Sequence, residues 1–119
     1  MEIILTRDSV HISDDVDAPH SKSIFLEKLS VEELYEDIKK LDYLPRFSGT
    51  ETWAIIGYSP ISIIAHQLGE LTMLMNSDML LRIELKRTNN KLHLCCFGGV
   101  KPKEVLKILE NYTNVCSGN

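Results

Sequence analysis

The segment from Leu29 to Leu41 constrains the fold of this chain most strongly, because it combines a helix start signal with a helical repeat. Ser30 is a favoured N-cap residue, and Glu33 three positions later completes a capping box. Apolar side chains then recur at helical spacing, at Val31, Leu34, Tyr35, Ile38 and Leu41. The spacing predicts an amphipathic helix that packs one face on a core.

Short apolar runs elsewhere predict strands, and turn residues between some of them predict hairpins. Residues 81–86 and 92–97 alternate between apolar and polar positions on either side of Asn89-Asn90, which predicts one hairpin. Residues 71–75 are ambiguous, and Pro102 fits the first turn of a closing helix. The remaining predicted strands lie at 3–5, 22–28, 53–58 and 61–67, the last two joined as a hairpin by Ser59-Pro60.

This order predicts the α+β class: a single domain over residues 1–119, with an antiparallel sheet of about five to six strands and two helices packed on one face. The length and a hydrophobic content of 44% suit one core. Leu34 and Ile83 are predicted core residues. No run approaches the ~20 apolar residues that span a bilayer, and MEIILTRDSV has no secretory pattern. We therefore expect a cytoplasmic protein without a membrane partner.

Charge is unevenly distributed along the chain, whose formal net charge is −4. Residues 1–20 hold five acids against one arginine, whereas residues 81–119 hold seven bases against three acids. An acidic protein without a basic, aromatic patch is a poor candidate for nucleic-acid binding. It is better suited to bind a basic protein.

The densest negative charge lies in SDDVDAPH, residues 13–20, which contains Asp14, Asp15 and Asp17. Close carboxylates can collect a hard cation or meet a basic partner, although EF-hand spacing is absent. They can equally form a solvated turn in which Asp side chains bind local backbone amides. The residues alone leave these alternatives open.

Histidines and cysteines offer only weak signals of chemistry. The four histidines, His11, His20, His66 and His93, have no spacing typical of a metal site. His93 and Cys95 lie on the same face of a predicted strand, as a Cys–His nucleophile requires. Phosphate-binding and dinucleotide motifs are absent from the sequence, so we predict no cofactor, no metal ligand and no catalytic residue.

Three stretches carry a family resemblance: LTRDSVHISDDVDAPH (5–20), YLPRFSGTETWAI (43–55) and ISIIAHQ (61–67). They resemble a family of small bacterial cytoplasmic proteins, some members of which are immunity proteins of contact-dependent growth inhibition and related polymorphic toxin systems. The resemblance covers roughly the first half of the chain and is specific at DDVDAPH. It fades after Gln67, where Leu68 stands in place of the family's usual aromatic residue.

The resemblance implies a protein that binds the C-terminal domain of a cognate toxin and blocks it stoichiometrically. Such toxins are often nucleases, whose substrate clefts must be basic. Asp14, Asp15 and Asp17 would then form the contact surface, with Glu51 and Glu70 as secondary candidates. If the acidic motif is structural instead, the contacts would lie elsewhere, for example in residues 68–78.

Two other functions stay open from the sequence. One is a small metal-dependent hydrolase that uses the acidic loop with His11 or His20. The other is a structural or regulatory subunit of another complex. The residues predict neither the oligomeric state nor the chemistry of the toxin.

Overall fold

A computed structural model describes residues 1–9, 20–41, 43–44, 51–65, 70–74 and 78–117, with the backbone alone at 78 and 112–117. These ranges contain six strands and three helices. In chain order they are β1 (Glu2–Arg7), β2 (Lys22–Phe25), α1 (Val31–Lys40), β3 (Thr52–Ile56), β4 (Pro60–Ala65), β5 (Glu70–Met73), α2 (Asp78–Arg87), β6 (Lys91–Cys96) and α3 (Pro102–Ser117). The α+β class, the single domain and the size of the sheet confirm the sequence prediction, whereas the helices number three rather than two.

The six strands form one mixed sheet in the order β2-β1-β6-β3-β4-β5. The predicted β3–β4 hairpin is confirmed, and the ambiguous segment after it forms the edge strand β5. β1 and β6 run parallel, so the expectation of an entirely antiparallel sheet was wrong. Their pairing places Thr6 opposite His93. It thereby joins the first strand to the last across most of the chain.

The predicted N-cap of α1 is confirmed. Ser30 has an extended backbone, and its hydroxyl accepts a hydrogen bond from the Glu33 N–H at 3.1 Å. This bond satisfies one of the amides that a helix leaves without an internal partner. Acidic Glu32 and Glu33 occupy the first turn and basic Lys39 and Lys40 the last, which suits the helix dipole at both ends.

Residues 81–86 form part of α2, so the strand predicted there was wrong. Leu81, Glu84 and Leu85 are buried at helical spacing, while Ile83 is 43% exposed. The alternation of apolar and polar residues over six positions fits a strand, with Ile83 in the core and Glu84 in solvent. In the helix the two are reversed, since Glu84 is buried and Ile83 is exposed. Ile83 is therefore not a core residue, unlike Leu34, which is fully buried.

Asn89 and Asn90 have the positive φ angles of 54° and 63° that their sequence predicts. They end α2 rather than connect two strands. The Asn90 N–H donates to the Leu85 carbonyl at 2.8 Å, which satisfies a carbonyl of the last helical turn. The chain then enters β6 directly.

The two faces of the sheet are covered by different helices. Side chains of α1 and α2 join the large core cluster with alternate strand residues such as Leu5, Trp53 and Leu94. On the opposite face, Val105 and Leu109 of α3 pack with Ala54 of β3 and Ile63 of β4. The prediction that both helices share one face was wrong, because the closing helix α3 packs on the side away from α1.

Candidate functional site

Polar side chains collect where β1 ends beside β6, on the sheet face that α3 covers at β3 and β4. Thr6 and Asp8 point to this face because alternate residues of an extended segment share a side. His93 and Cys95 do the same on β6, where Cys95 pairs with Ala54 and lies on the α3 side. The parallel register of β1 and β6 brings these four side chains together.

Asp8 is held through both of its carboxylate oxygens. Oδ1 lies 2.7 Å from His93 Nε2, and Oδ2 accepts the Cys96 backbone N–H at 2.9 Å. The Asp8 N–H in turn donates to the Leu94 carbonyl at 3.0 Å. These three bonds fix the carboxylate against β6 although its side chain is 42% exposed.

His93 lies between the Asp8 carboxylate and a hydroxyl. Its Nδ1 is 2.7 Å from Thr6 Oγ1, and its side chain is 38% exposed. Both ring nitrogens are therefore engaged, and the ring has little freedom to rotate. A histidine oriented in this way can present one nitrogen to a ligand that replaces the hydrogen-bond partner there.

Cys95 completes the cluster, since one ligand atom each from Asp8, His93 and Cys95 lies within 4.8 Å of the others. Burial raises the pKa of the Cys95 thiol to about 11, with smaller contributions from the Asp8 carboxylate and Cys96. The predicted sharing of a face by His93 and Cys95 is confirmed. The environment nevertheless favours the protonated thiol at neutral pH, which is the opposite of what a nucleophilic cysteine needs.

Residues 10–19, which we call the acidic segment, have their two ends joined close to this cluster. Ser9 Oγ lies 3.1 Å from His20 Nε2, so a hydrogen bond links the residues that precede and follow positions 10–19. The Tyr43 hydroxyl donates to the His20 carbonyl, and His20 has a positive φ of 59°. Burial raises the pKa of Tyr43 to about 12, so its hydroxyl remains a donor at any physiological pH.

Arg7 links this anchor to the end of β1. Its guanidinium lies 5.7 Å from the centre of the Tyr43 ring, and Nη1 donates to the Asp8 carbonyl at 3.0 Å. The positive charge next to an aromatic face gives a weak attraction. One hydrogen-bonded and stacked group of residues therefore joins the two ends of the acidic segment, and it consists of Ser9, His20, Tyr43 and Arg7.

The residues predicted to contact a partner do not all lie together. Asp14, Asp15 and Asp17 fall outside the residues that the structure describes, as does His11. Glu51 is fully buried, and Trp53 Nε1 donates to its carboxylate at 3.4 Å, so a partner has no access to it in this structure. Glu70 is exposed on β5, four strands from β1 and roughly 19 Å away at the usual strand spacing.

Sequence reasoning missed Thr6 and Asp8 as site residues. Their spacing of two at the end of an apolar run matches that of His93 and Cys95, which was the available signal. The pairing of the two strands was the missing information, because a predicted hairpin partner for β6 left no reason to place it beside β1. The two pairs become one cluster only in the parallel register.

A second exposed feature is the outer face of α2. Met79, Leu80 and Ile83 are 70%, 47% and 43% exposed and lie within one turn of each other. Tyr58 in the β3–β4 turn is also exposed, and the Arg87 guanidinium lies 4.9 Å from the centre of its ring. Scattered apolar exposure is ordinary, but adjacent large side chains on one helix are typical of contact surfaces.

Comparisons with protein-family models, curated proteins and solved structures gave no significant match. Within the described part of the chain, no helix has the length and apolar character needed to cross a bilayer.

Proposed function

We propose that this chain is a cytoplasmic immunity protein that binds the C-terminal domain of a cognate toxin and blocks it without catalysis. The observation that carries the proposal is the closed base of the acidic segment, where Ser9 and His20 meet at 3.1 Å. The two ends of the segment therefore lie together at one place on the domain. The family resemblance of the same segment points to the same function.

The anchor has a consequence for binding. Ordering a free loop against a partner costs conformational entropy, and fixing the ends of the loop in advance reduces that cost. The Tyr43 hydroxyl bond to the His20 carbonyl holds the second end independently of Ser9. Asp14, Asp15 and Asp17 would then be presented from a prepared base.

Charge supports a basic partner. Residues 1–20 carry five acids against one arginine, so the segment lies in the most acidic part of the chain. A nuclease must offer a basic cleft to its substrate phosphates, and an acidic segment can occupy that cleft in their place. Complementary charge also accelerates encounter and suppresses wrong partners. The same acidity disfavours binding of nucleic acid by this chain.

The proposed protein acts without catalysis, and the side chains at the end of β1 support this part of the proposal. Both oxygens of Asp8 are occupied by hydrogen bonds, and the Cys95 thiol is protonated at neutral pH because burial raises its pKa to about 11. The Cys95 thiol is therefore not prepared to act as a nucleophile.

Affinity capture of the tagged protein from its native cell, followed by mass spectrometry, tests the proposal. The wild type should retain a toxin C-terminal domain, and the triple variant D14N/D15N/D17N should lose it. A matched control, E27Q/E32Q/E110Q, changes the net charge equally at exposed acids outside the segment. The control should retain the toxin, and its capture should weaken with added salt as that of the wild type does, because salt screens the charges at the proposed interface.

If both triple variants capture the toxin, the proposed immunity function stands, but the interface does not lie on the acidic segment. The outer face of α2 would then be the next surface to test. Failure of the wild type to bind any toxin domain would contradict the proposed function. In that case the hydrolase and subunit hypotheses would again be the leading ones.

A further inference from the structure

We propose that Asp8, His93 and Cys95 form a Zn²⁺ site that ties the end of β1 to β6. The proposal is independent of toxin binding, because it rests only on side chains of the described sheet. Donor atoms from these three residues lie within 4.8 Å of one another. The ligands would be Asp8 Oδ1, His93 Nε2 and Cys95 Sγ.

To accept the ion, the oxygen and the nitrogen must move apart, and the sulfur must move in from a separation of up to 4.8 Å. Tetrahedral zinc binds nitrogen, oxygen and sulfur at about 2.0–2.3 Å, which sets neighbouring ligand atoms roughly 3.3–3.7 Å apart. Asp8 Oδ1 and His93 Nε2 are now 2.7 Å apart, so they must separate by roughly 0.6–1 Å as the ion replaces the proton between them. The two side chains are 38% and 42% exposed, which leaves room for such a shift while His93 keeps its bond to Thr6 and Asp8 its bond to the Cys96 N–H.

The residues that surround the three ligands already orient them. Thr6 Oγ1 lies 2.7 Å from His93 Nδ1, so it can accept the Nδ1–H and leave the Nε2 lone pair toward the ion. The Cys96 N–H holds Asp8 Oδ2 at 2.9 Å, which turns the other carboxylate oxygen toward the histidine. Metal sites depend on such outer hydrogen bonds for ligand orientation and affinity.

The chemistry of the three donor atoms indicates which metal the site would bind. One imidazole, one thiolate and one carboxylate suit zinc, whereas Mg²⁺ and Ca²⁺ prefer sites made wholly of oxygen. When sulfur binds the ion, the thiol proton leaves to solvent, and the charge of the ion stabilises the thiolate in its place. The ion would also lie beside the negative Asp8, which compensates part of its charge.

The described residues supply three ligands, so water would occupy the fourth position of a tetrahedral site. The side chains of His93 and Asp8 are 38% and 42% exposed, so solvent reaches this side of the cluster. The proposed site is therefore open on one side, and the ion connects two strands whose ligands lie 85 residues apart in the chain. A donor from a bound partner could replace the water.

Cobalt substitution followed by zinc competition tests the site. The full chain is stripped of metal with a chelator and titrated with Co²⁺. One equivalent should bind and give a near-ultraviolet thiolate-to-cobalt absorption band, which Zn²⁺ then removes. Cys95→Ser should abolish the band and weaken zinc binding at least tenfold, as measured by competition with a chromophoric chelator.

Cys96→Ser is the matched control, since the Cys96 thiol is the neighbour in sequence but packs toward the large core on the opposite face. It should keep both the band and the zinc affinity. Thr6→Val removes a hydroxyl that touches no metal, and we expect it to weaken zinc binding about tenfold to hundredfold by releasing the histidine. A loss of zinc affinity in Thr6→Val would show that the hydroxyl orients the histidine for the metal. Circular dichroism checks that each variant is folded.

Three outcomes would overturn the proposal. The first is a wild type that gives no thiolate band or binds well below one equivalent of Co²⁺. The second is an unchanged zinc affinity in Cys95→Ser. The third is a band that Cys96→Ser removes and Cys95→Ser retains. If Cys95→Ser does not fold, Asp8→Asn tests the same site, because an amide oxygen is a weaker zinc ligand than a carboxylate.

Discussion

The two faces of the sheet differ in what they bury. The face under α1 and α2 carries a large and continuous apolar cluster that includes Trp53, Leu5 and Leu34. The face under α3 buries a small cluster around Ala54 and Ile63 and leaves Thr6, Asp8, His93 and Cys95 beside it. The first face provides most of the stability, while the second exposes the groups that are capable of chemistry.

The largest difference between the faces should appear on truncating one leucine on each. Leu34→Ala removes a fully buried side chain from the large cluster and should lower the free energy of unfolding by ~2–5 kcal/mol. Leu106→Ala on α3 truncates a partly buried side chain and should cost clearly less. Urea unfolding of both variants measures the difference. Equal losses would contradict the division between the faces.

A buried carboxylate on α2 tests whether the large face also depends on polar contacts. Glu84 is 4% exposed, and its Oε1 accepts the Ser59 backbone N–H in the β3–β4 turn. Glu84→Ala leaves that amide without an acceptor and should lower the unfolding free energy by ~1–3 kcal/mol. Glu84→Gln keeps an acceptor oxygen and should cost less. Thermal unfolding of both compares them, and equal effects would show that charge matters more than the bond.

Alkaline pH should lower the unfolding free energy of the metal-free chain through the smaller face. Burial raises the pKa of Cys95 from 9.0 to about 11, so the folded state holds a proton that the unfolded state releases. This contribution to stability is complete below pH 9 and is lost as the pH rises to about 11. Cys95→Ser should flatten the fall of the unfolding free energy between these two pH values. If the unfolding free energy of Cys95→Ser falls with pH as steeply as that of the wild type, the loss comes from another group.

The smallest effect is expected on the outer face of α2. Ile83 is 43% exposed, so Ile83→Ser should change the unfolding free energy by under ~0.5 kcal/mol. Leu85→Ala, at a fully buried position of the same helix, should lose ~2–5 kcal/mol. Denaturant unfolding of the pair measures both values. A large loss at Ile83 would favour the strand that the sequence pattern predicted.

Local patterns predicted the elements whose signals are local. The Ser30 cap, the β3–β4 hairpin and the Pro102 helix start all depend on neighbouring residues, and all are confirmed. Residues 81–86 failed because six alternating residues satisfy a strand and a helix almost equally. In the structure Glu84 turns inward because its carboxylate binds a turn amide from another part of the chain.

The cluster at the end of β1 could not be predicted for a different reason. Asp8 and His93 are 85 residues apart, and nothing near either residue encodes the parallel register that joins them. Recognising the α2 helix would have freed β6 from its predicted hairpin and made β1 a possible neighbour. One mistaken element therefore concealed both the sheet order and the cluster.

The position of β1 also affects how the chain is made. β1 lies between β2, which follows it closely, and β6, whose His93 lies 87 residues after Thr6. During translation the first hairpin can form early, but one edge of β1 has no neighbour until the ribosome has released the last strand. Long-range pairing of this kind slows folding and leaves an unpaired strand edge exposed in the meantime. We infer that the nascent chain is most prone to aggregation just before β6 emerges.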